Sequence, residues 1–388
     1  MAAIAVQKCL VNFGQPARRQ LPRVVGAFYI NKRHGSSNIV ALKKGPGGRS
    51  SFSGIVATVF GATGFLGRYV VNKLGRIGSQ VIIPYRGEPL DYQYLRLAGE
   101  LGQILFLPYD IRDEDSVRKA MKYSNVVINL IGRDHETRNF TYDDVHTTAA
   151  RMVAKLARES GVEKLIHFSS LNASNSPQQI FMKEGSHFLR SKYAGELAVR
   201  EEFPNAIIFR PSDMYGAEDR FLRYYASFWR RAHAQVPLWH KGEATIKQPV
   251  YVSDVAEGVK QAIYNPDALG RTFETVGPNR YYLADLVDFF YNCMRFRQFK
   301  RIHLTPVFRM KAHLISLISP DPVCSLEKLE REHITDTLTD CPTLEDLGVA
   351  LTKLENRAPF DLKPFRRNAY YAETLGEFPD PPAPPVVV

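Results

Sequence analysis

Residues 55–67, IVATVFGATGFLG, place a β-branched apolar run directly ahead of Gly61-x-x-Gly64-x-x-Gly67, and apolar residues then recur at helical spacing through Val70, Leu74 and Ile77. The spacing predicts a strand, a tight turn and a helix. In that arrangement the backbone approaches a pyrophosphate closely, and the free N–H groups and positive end of the helix meet the anion. A glycine triplet alone also describes an ordinary helix-capping loop. Its position after a strand and before a helix favours a dinucleotide cradle built from Gly61, Thr63, Gly64, Phe65, Leu66 and Gly67.

Further apolar runs at residues 80–84, 103–107, 125–131, 164–168 and 206–209 are separated by helical patterns. The alternation predicts an α/β fold, a Rossmann-type doubly wound parallel sheet. A helix is expected over 142–160, with Thr141 and Asp144 placed as a capping box, Val145, Ala149, Val153 and Leu156 on one face and Gly161 as stop. Past Pro211 the alternation fades, a helix is expected over 283–295, and the remainder reads less regularly as a smaller C-terminal lobe. The expected organisation is a leader over 1–53, a nucleotide-binding Rossmann domain over 54–215, a lobe over 216–370 interleaved with that core, and an extended Pro-rich tail over 371–388.

A chain of 388 residues that is 45% hydrophobic and 23% charged can bury a large core, which excludes a disordered or fibrous protein. Its formal charge of +11 is concentrated at one end: residues 1–53 hold nine Lys or Arg and no acid, which leaves +2 for 54–388. The body of the chain therefore has little attraction for nucleic acid. The acid-free leader has the character of a mitochondrial transit peptide, with cleavage expected between Arg23 and Ser53; a basic tail for RNA or a membrane surface is the alternative. Cys9, Cys293, Cys324 and Cys341 are scattered, with neither metal-site spacing nor a disulfide framework. No apolar run reaches spanning length, so any membrane association is expected to be peripheral.

Ligands of such sheets lie along the carboxyl ends of the strands. After the second strand stands Arg86, where an NAD-selective site usually has an acid. Arg86 is therefore read as pairing a 2′-phosphate, with Arg68 as a second cation; solvated surface charges are the alternative. Asp110 and Ile111 after the third strand are read as bracketing an adenine, and Gly132 after the fourth as permitting close backbone approach.

These residues, together with Phe168-Ser169-Ser170, Phe188-x-x-x-Lys192, Arg210-Pro211 and Val252-Ser253-Asp254-Val255-Ala256, resemble an extended or atypical short-chain dehydrogenase/reductase over about residues 54–290. The resemblance implies that Lys192 holds the nicotinamide ribose, that Ser169 and Pro211 belong to the cofactor site, and that a tyrosine four residues before the lysine moves the substrate proton. Here that position is Phe188. Hydride delivery to a carbonyl develops alkoxide charge that a phenol neutralises, and phenylalanine has no proton to supply. The family's catalytic serine would fall near Leu171. No catalytic residue is therefore assigned. Tyr193 is the alternative donor, but one residue further round a helix it points about 100° away from the Phe188–Lys192 face.

The leader, the missing tyrosine, Thr343-Leu-Glu-Asp-Leu-Gly348 and the proline-rich end are similar to a branch of that family, the nucleotide-binding accessory subunits of mitochondrial respiratory complex I. This implies NADPH as a structural ligand, one per chain, with FAD and metal not expected. It implies other complex I subunits as partners and a peripheral position on the matrix side of the inner membrane, near the junction of the two arms. An active NADPH-dependent reductase or isomerase of the matrix is the alternative. Residues 220–241 interleave Arg220, Arg223, Arg230, Arg231 and Lys241 with Phe221, Tyr224, Tyr225, Phe228, Trp229 and Trp239. They read either as an amphipathic helix packing Phe221, Tyr225 and Phe228 inward or as a contact for protein or anionic lipid, and Arg295, Arg297, Lys300 and Arg301 repeat the theme.

Overall fold

In the computed structural model, residues 45, 47–231, 235–296, 299–367, 379 and 381–387 are described; the leader expectation falls almost wholly outside them, as does the first part of the tail. β1 (Val56–Phe60) is buried along its whole length, as a strand at the centre of a sheet covered on both faces must be. It belongs to a parallel sheet completed by β2 (Gln80–Tyr85), β3 (Ile104–Pro108), β4 (Val126–Asn129), β5 (Lys164–Phe168), β6 (Ile207–Pro211) and β7 (Thr272–Thr275), in the order β7-β6-β5-β4-β1-β2-β3. The order reverses between β1 and β4. That reversal opens the ligand crevice at their carboxyl ends, where Phe60 pairs with Asn129 and Asn129 with His167.

Helices α1 (Phe65–Arg76), α2 (Glu114–Met121), α3 (Ala149–Glu159), α4 (His187–Glu202) and α5 (Val252–Tyr264) cover the two faces. Val70, Leu74, Val255 and Val259 from α1 and α5 join Val59, Ile83 and Ile128 in one core, while Val117, Met121, Val153 and Leu156 join Phe60, Val127 and Leu165 in another. The expected capping box is present: Thr141 N donates to Asp144 Oδ2 at 2.9 Å, and Asp144 N to Thr141 Oγ1 at 3.3 Å. The helix behind it is not uniform, because Asp144–Thr148 winds as a π-helix before α3 begins. The wider turn carries His146, whose ring nitrogens are held by Ser191 at 2.8 Å and by Arg133 N–H at 3.2 Å. Such local unwinding is common beside functional sites.

The chain beyond 290 is more regular than its sequence suggests. After α6 (Leu283–Cys293), which ends as Arg295 turns to φ 62°, come α7 (Pro306–Ile318), α8 (Leu326–Glu332) and α9 (Leu354–Asp361). A strand at Lys300–His303 pairs with one at Gln235–Leu238. Residues 220–241 form no single helix: Phe221 and Tyr225 are buried as expected, but Phe228 is 69% exposed because the helix stops at Ala226. Residues 342–349 then return to the sheet, with Glu274 N donating to Pro342 O at 2.9 Å and Leu344, Leu347 and Val349 joining the α5 side of the core. The described part of the proline-rich end is extended, and Val387 N donates to Arg280 O at 2.8 Å.

Arg230 anchors this second core. It is fully buried, pairs with Glu332 at 2.7 Å and lies among the rings of Tyr224, Tyr225 and Phe308. Burial alone would raise the Glu332 carboxyl, and the adjacent guanidinium overrides this and holds it below its ordinary range. Removing one partner of such a pair leaves an uncompensated charge in the interior. Glu332→Ala is expected to destabilise the fold by about 3–5 kcal/mol in urea unfolding, whereas replacing the exposed Glu345 should change it by less than about 0.5 kcal/mol.

Candidate functional site

The crevice begins at the glycine turn. Gly61 has φ +75°, and a Cβ there would stand 2.9 Å from the carbonyl of Leu130, so the turn after β1 lies directly on the segment leaving β4. A Cβ at Gly67 would collide with the Ala62 carbonyl, so only glycine lets the first turn of α1 close onto the strand end. Gly64 is the extended N-cap of α1, with no side-chain cap and no acid in the first turn, which leaves the helix N–H groups to an anion. Tyr94 holds the turn from outside by donating its hydroxyl to Thr63 O at 2.9 Å. Leu66 is buried beneath it and Phe65 is half-buried.

Arg86, after β2, is exposed and makes no ion pair among the described residues. Its guanidinium lies 5.8 Å from the Phe140 ring, and Arg112 lies 4.3 Å from the same ring. Phe140 thus gathers two guanidinium groups at the end of β2 and β3, a grouping the sequence reading missed. The second cation it named instead, Arg68, is engaged elsewhere, paired with Glu218 and stacked 4.1 Å over Tyr94. Asp110 accepts from Arg112 N–H at 2.9 Å, which fixes the turn that buries Ile111.

At the far end, Gly132, Ser169 and Lys192 come together. Lys192 is 6% exposed, donates from Nζ to Phe168 O at 3.0 Å, and burial pushes its ammonium down to about 8. A Cβ on Gly132 would stand 3.1 Å from that Nζ. Ser169 Oγ is buried and has no partner among the described residues, while Pro211 accepts from Leu171 N–H at 2.8 Å and fixes the neighbouring strand end.

Phe188, one turn before Lys192, is half-buried. Its ring meets His146 edge-on at 5.1 Å and Tyr142 at 6.0 Å, and the Arg331 guanidinium lies 3.9 Å over it. The Tyr142 hydroxyl donates away from the crevice to Asp134 O at 2.9 Å, and burial pushes it above its ordinary value. Among the described residues Tyr193 shares none of these contacts and is half-buried. Ser191 Oγ donates to Phe188 O at 2.9 Å, so it accepts from His146 Nδ1–H, and His146 Nε2 accepts from Arg133 N–H. Burial, then the charges of Lys192 and Arg331, push the His146 imidazole down to about 2. The ring is therefore neutral and fixes the Gly132–Arg133 backbone against α4.

The cover over Phe188 comes from α8. Glu327 accepts from the Ser186 hydroxyl and from Phe188 N–H at 2.9 Å, and Arg331 donates to Asp134 O at 3.2 Å. Glu330 accepts three successive N–H groups, from Ile180, Phe181 and Met182, at 2.6–3.2 Å. In sequence these glutamates look like a charged helix surface, and nothing local points them at residues 139 to 150 positions earlier.

The sheet order and the glycine turn at its switch point define a Rossmann-type nucleotide-fold protein, and the sequence pattern of the NAD dependent epimerase/dehydratase family matches residues 57–275. Among solved structures, the triphenylmethane reductase of Citrobacter sp. shares this fold, with a TM-score of 0.60 and 15% identity over 80% of this chain and 99% of its own. The rat protein "NADH dehydrogenase [ubiquinone] 1 alpha subcomplex subunit 9, mitochondrial" is 48% identical over 95% of each chain. The Neurospora crassa "NADH-ubiquinone oxidoreductase 40 kDa subunit, mitochondrial" is 34% identical over 92% of this chain and 93% of its own. The chain belongs to the NAD dependent epimerase/dehydratase family and, within it, to the family of these mitochondrial complex I subunits.

The His146 network has a defined pH signature. A histidine held at about 2 in the fold and near 6.5 in the unfolded chain lets the unfolded state take the proton first as pH falls. Its contribution is complete above about pH 6.5 and drains away below it. Unfolding measured at pH 7 and pH 5 should show a loss of about 2 kcal/mol from this residue, and His146→Asn should flatten that part of the profile.

Proposed function

We propose that this chain is a non-catalytic accessory subunit of mitochondrial respiratory complex I, peripheral on the matrix side of the inner membrane near the junction of the two arms, and that it holds one NADPH as a structural ligand. The observation that carries the reading is Phe188. Where the family has its proton donor stands a half-buried phenylalanine ring packed against His146, Tyr142 and Arg331. The rat and Neurospora relatives support the assembly.

The residues present fit a nicotinamide dinucleotide: glycines that a Cβ would clash with, an uncapped helix N-terminus, an orphaned buried hydroxyl at Ser169 and a buried ammonium at Lys192. In this reading α1 receives the pyrophosphate, Arg86 beside Arg112 the 2′-phosphate, Asp110 and Ile111 the adenine side, and Gly132, Ser169, Lys192 and Pro211 the nicotinamide end. A bound NADPH would supply a hydride, and this chain offers no hydroxyl at position 188 to match it with a proton. A ligand held only by the folded state stabilises it by about 2.7 kcal/mol at a hundred times its dissociation constant, so the site contributes without turning over. Residues 1–53 serve as the import leader, 54–215 as the nucleotide domain, 216–370 as the interleaved lobe and 371–388 as the tail.

Two measurements test this. Sedimentation of a mild-detergent mitochondrial extract should show the chain co-migrating with NADH dehydrogenase activity in a very large particle; migration as a monomer with NADPH turnover that depends on Tyr193 would establish the enzyme instead. Arg86→Ala should weaken NADPH binding by ten- to a hundredfold, about 1.5–3 kcal/mol, leave NADH binding nearly unchanged, and lower the yield of assembled complex. Equal loss of both nucleotides would remove Arg86 from the 2′-phosphate.

A further inference from the structure

Helix α7 is amphipathic on two sides. Phe308 and Ala312 face the lobe core, whereas Val307, Met310, Leu314, Leu317 and Ile318 are 50–81% exposed. At about 100° per residue these five fall on one arc about 100° wide, bounded by Lys311 on one side and His313 on the other. Lys311 Nζ donates to Arg231 O at 3.3 Å, which holds beside the helix the turn carrying Phe228 and Trp229, 69% and 51% exposed. In sequence, residues 220–242 and 289–320 contain eleven Lys or Arg and no Asp or Glu, with Asp219, Glu243, Asp288 and Asp321 immediately outside them. Arg220, Arg230 and Arg301 are spent on carboxylates, Arg220 on Asp134 and Asp321, Arg230 on Glu332 and Arg301 on Asp288 and Glu243, so the basic aromatic segment cannot act as a continuous face. What it leaves exposed joins α7.

We propose that the outer arc of α7, with the Phe228–Trp229 turn, is the surface by which this chain lies on an anionic phospholipid bilayer. A helix with an apolar arc, Lys311 at one margin and an adjoining tryptophan sits at the boundary between headgroups and acyl chains, and the excess of Lys and Arg in the neighbouring sequence adds attraction to lipid phosphate. The surface carries more basic than acidic side chains around an apolar seam, and an anionic bilayer presents negative charge and an apolar layer together. The inference deepens the peripheral placement proposed above and rests on it only for which membrane is met.

The test is flotation of the full chain with vesicles of phosphatidylcholine alone or of phosphatidylcholine mixed with cardiolipin. Recovery should be several-fold higher on the anionic vesicles and fall as salt is raised. Leu317→Glu/Ile318→Glu, at two of the most exposed positions, should lose roughly tenfold in recovery while keeping NADPH binding, which reports an intact fold. Trp229 emission should shift to the blue on anionic vesicles, and Trp229→Phe should abolish the shift. Flotation of the double variant equal to that of the parent, or equal recovery on both vesicle types, would overturn the proposal. So would absence of flotation from a chain that still binds NADPH and co-migrates with complex I, a result that assigns the face to a protein neighbour and leaves the subunit reading standing.

Discussion

Burying a carboxylate costs several kcal/mol unless hydrogen bonds and opposite charge replace the lost water, and α8 buries three within six residues, Glu327, Glu330 and Glu332. Each is repaid by a different neighbour. Glu327 takes the hydroxyl and N–H at the start of α4, where the helix dipole favours an anion. Glu330 takes three N–H groups of the 180–182 loop, and Glu332 takes Arg230 in the core of the lobe. The helix cannot slide or rotate without leaving at least one charge unpaired. Its register therefore fixes Arg331 over Phe188.

The parts of this arrangement legible in the sequence are those set by local period and by backbone sterics. β5 falls at residues 164–168 as expected, with Leu165, Ile166 and Phe168 buried and the polar Lys164 and His167 buried beside them. Gly61 and Gly67 announce their turn because no other residue fits. What escaped reading depends on distant partners. Arg68 looked free for a phosphate, but Glu218, 150 residues further along the chain, claims it. The helix expected over 142–160 is interrupted because His146 must reach Ser191 and Arg133, neither of which is local. In α7 the apolar period was present but doubled, one stripe for the core and one for the outside, so the sequence around it blurred into irregularity.

The buried Lys192 makes a binding role without catalysis physically coherent. In a working reductase a lysine there lowers the pKa of a nearby phenol, and the cost of burying it is part of the catalytic apparatus. Here no phenol stands at position 188, yet the ammonium is still buried, still held to Phe168 O and still pushed down to about 8. Below that pH the folded protein carries a desolvated charge that its single carbonyl partner compensates only in part. The ribose hydroxyls of a bound dinucleotide would supply the remaining acceptors. On the non-catalytic reading proposed above, a chain with phenylalanine at 188 has no route by which binding energy is spent on a transition state. In that proposal the dinucleotide's contacts would act entirely on the folded state, tying the turn after β1, the Gly132 segment and α4 into one unit beside α8.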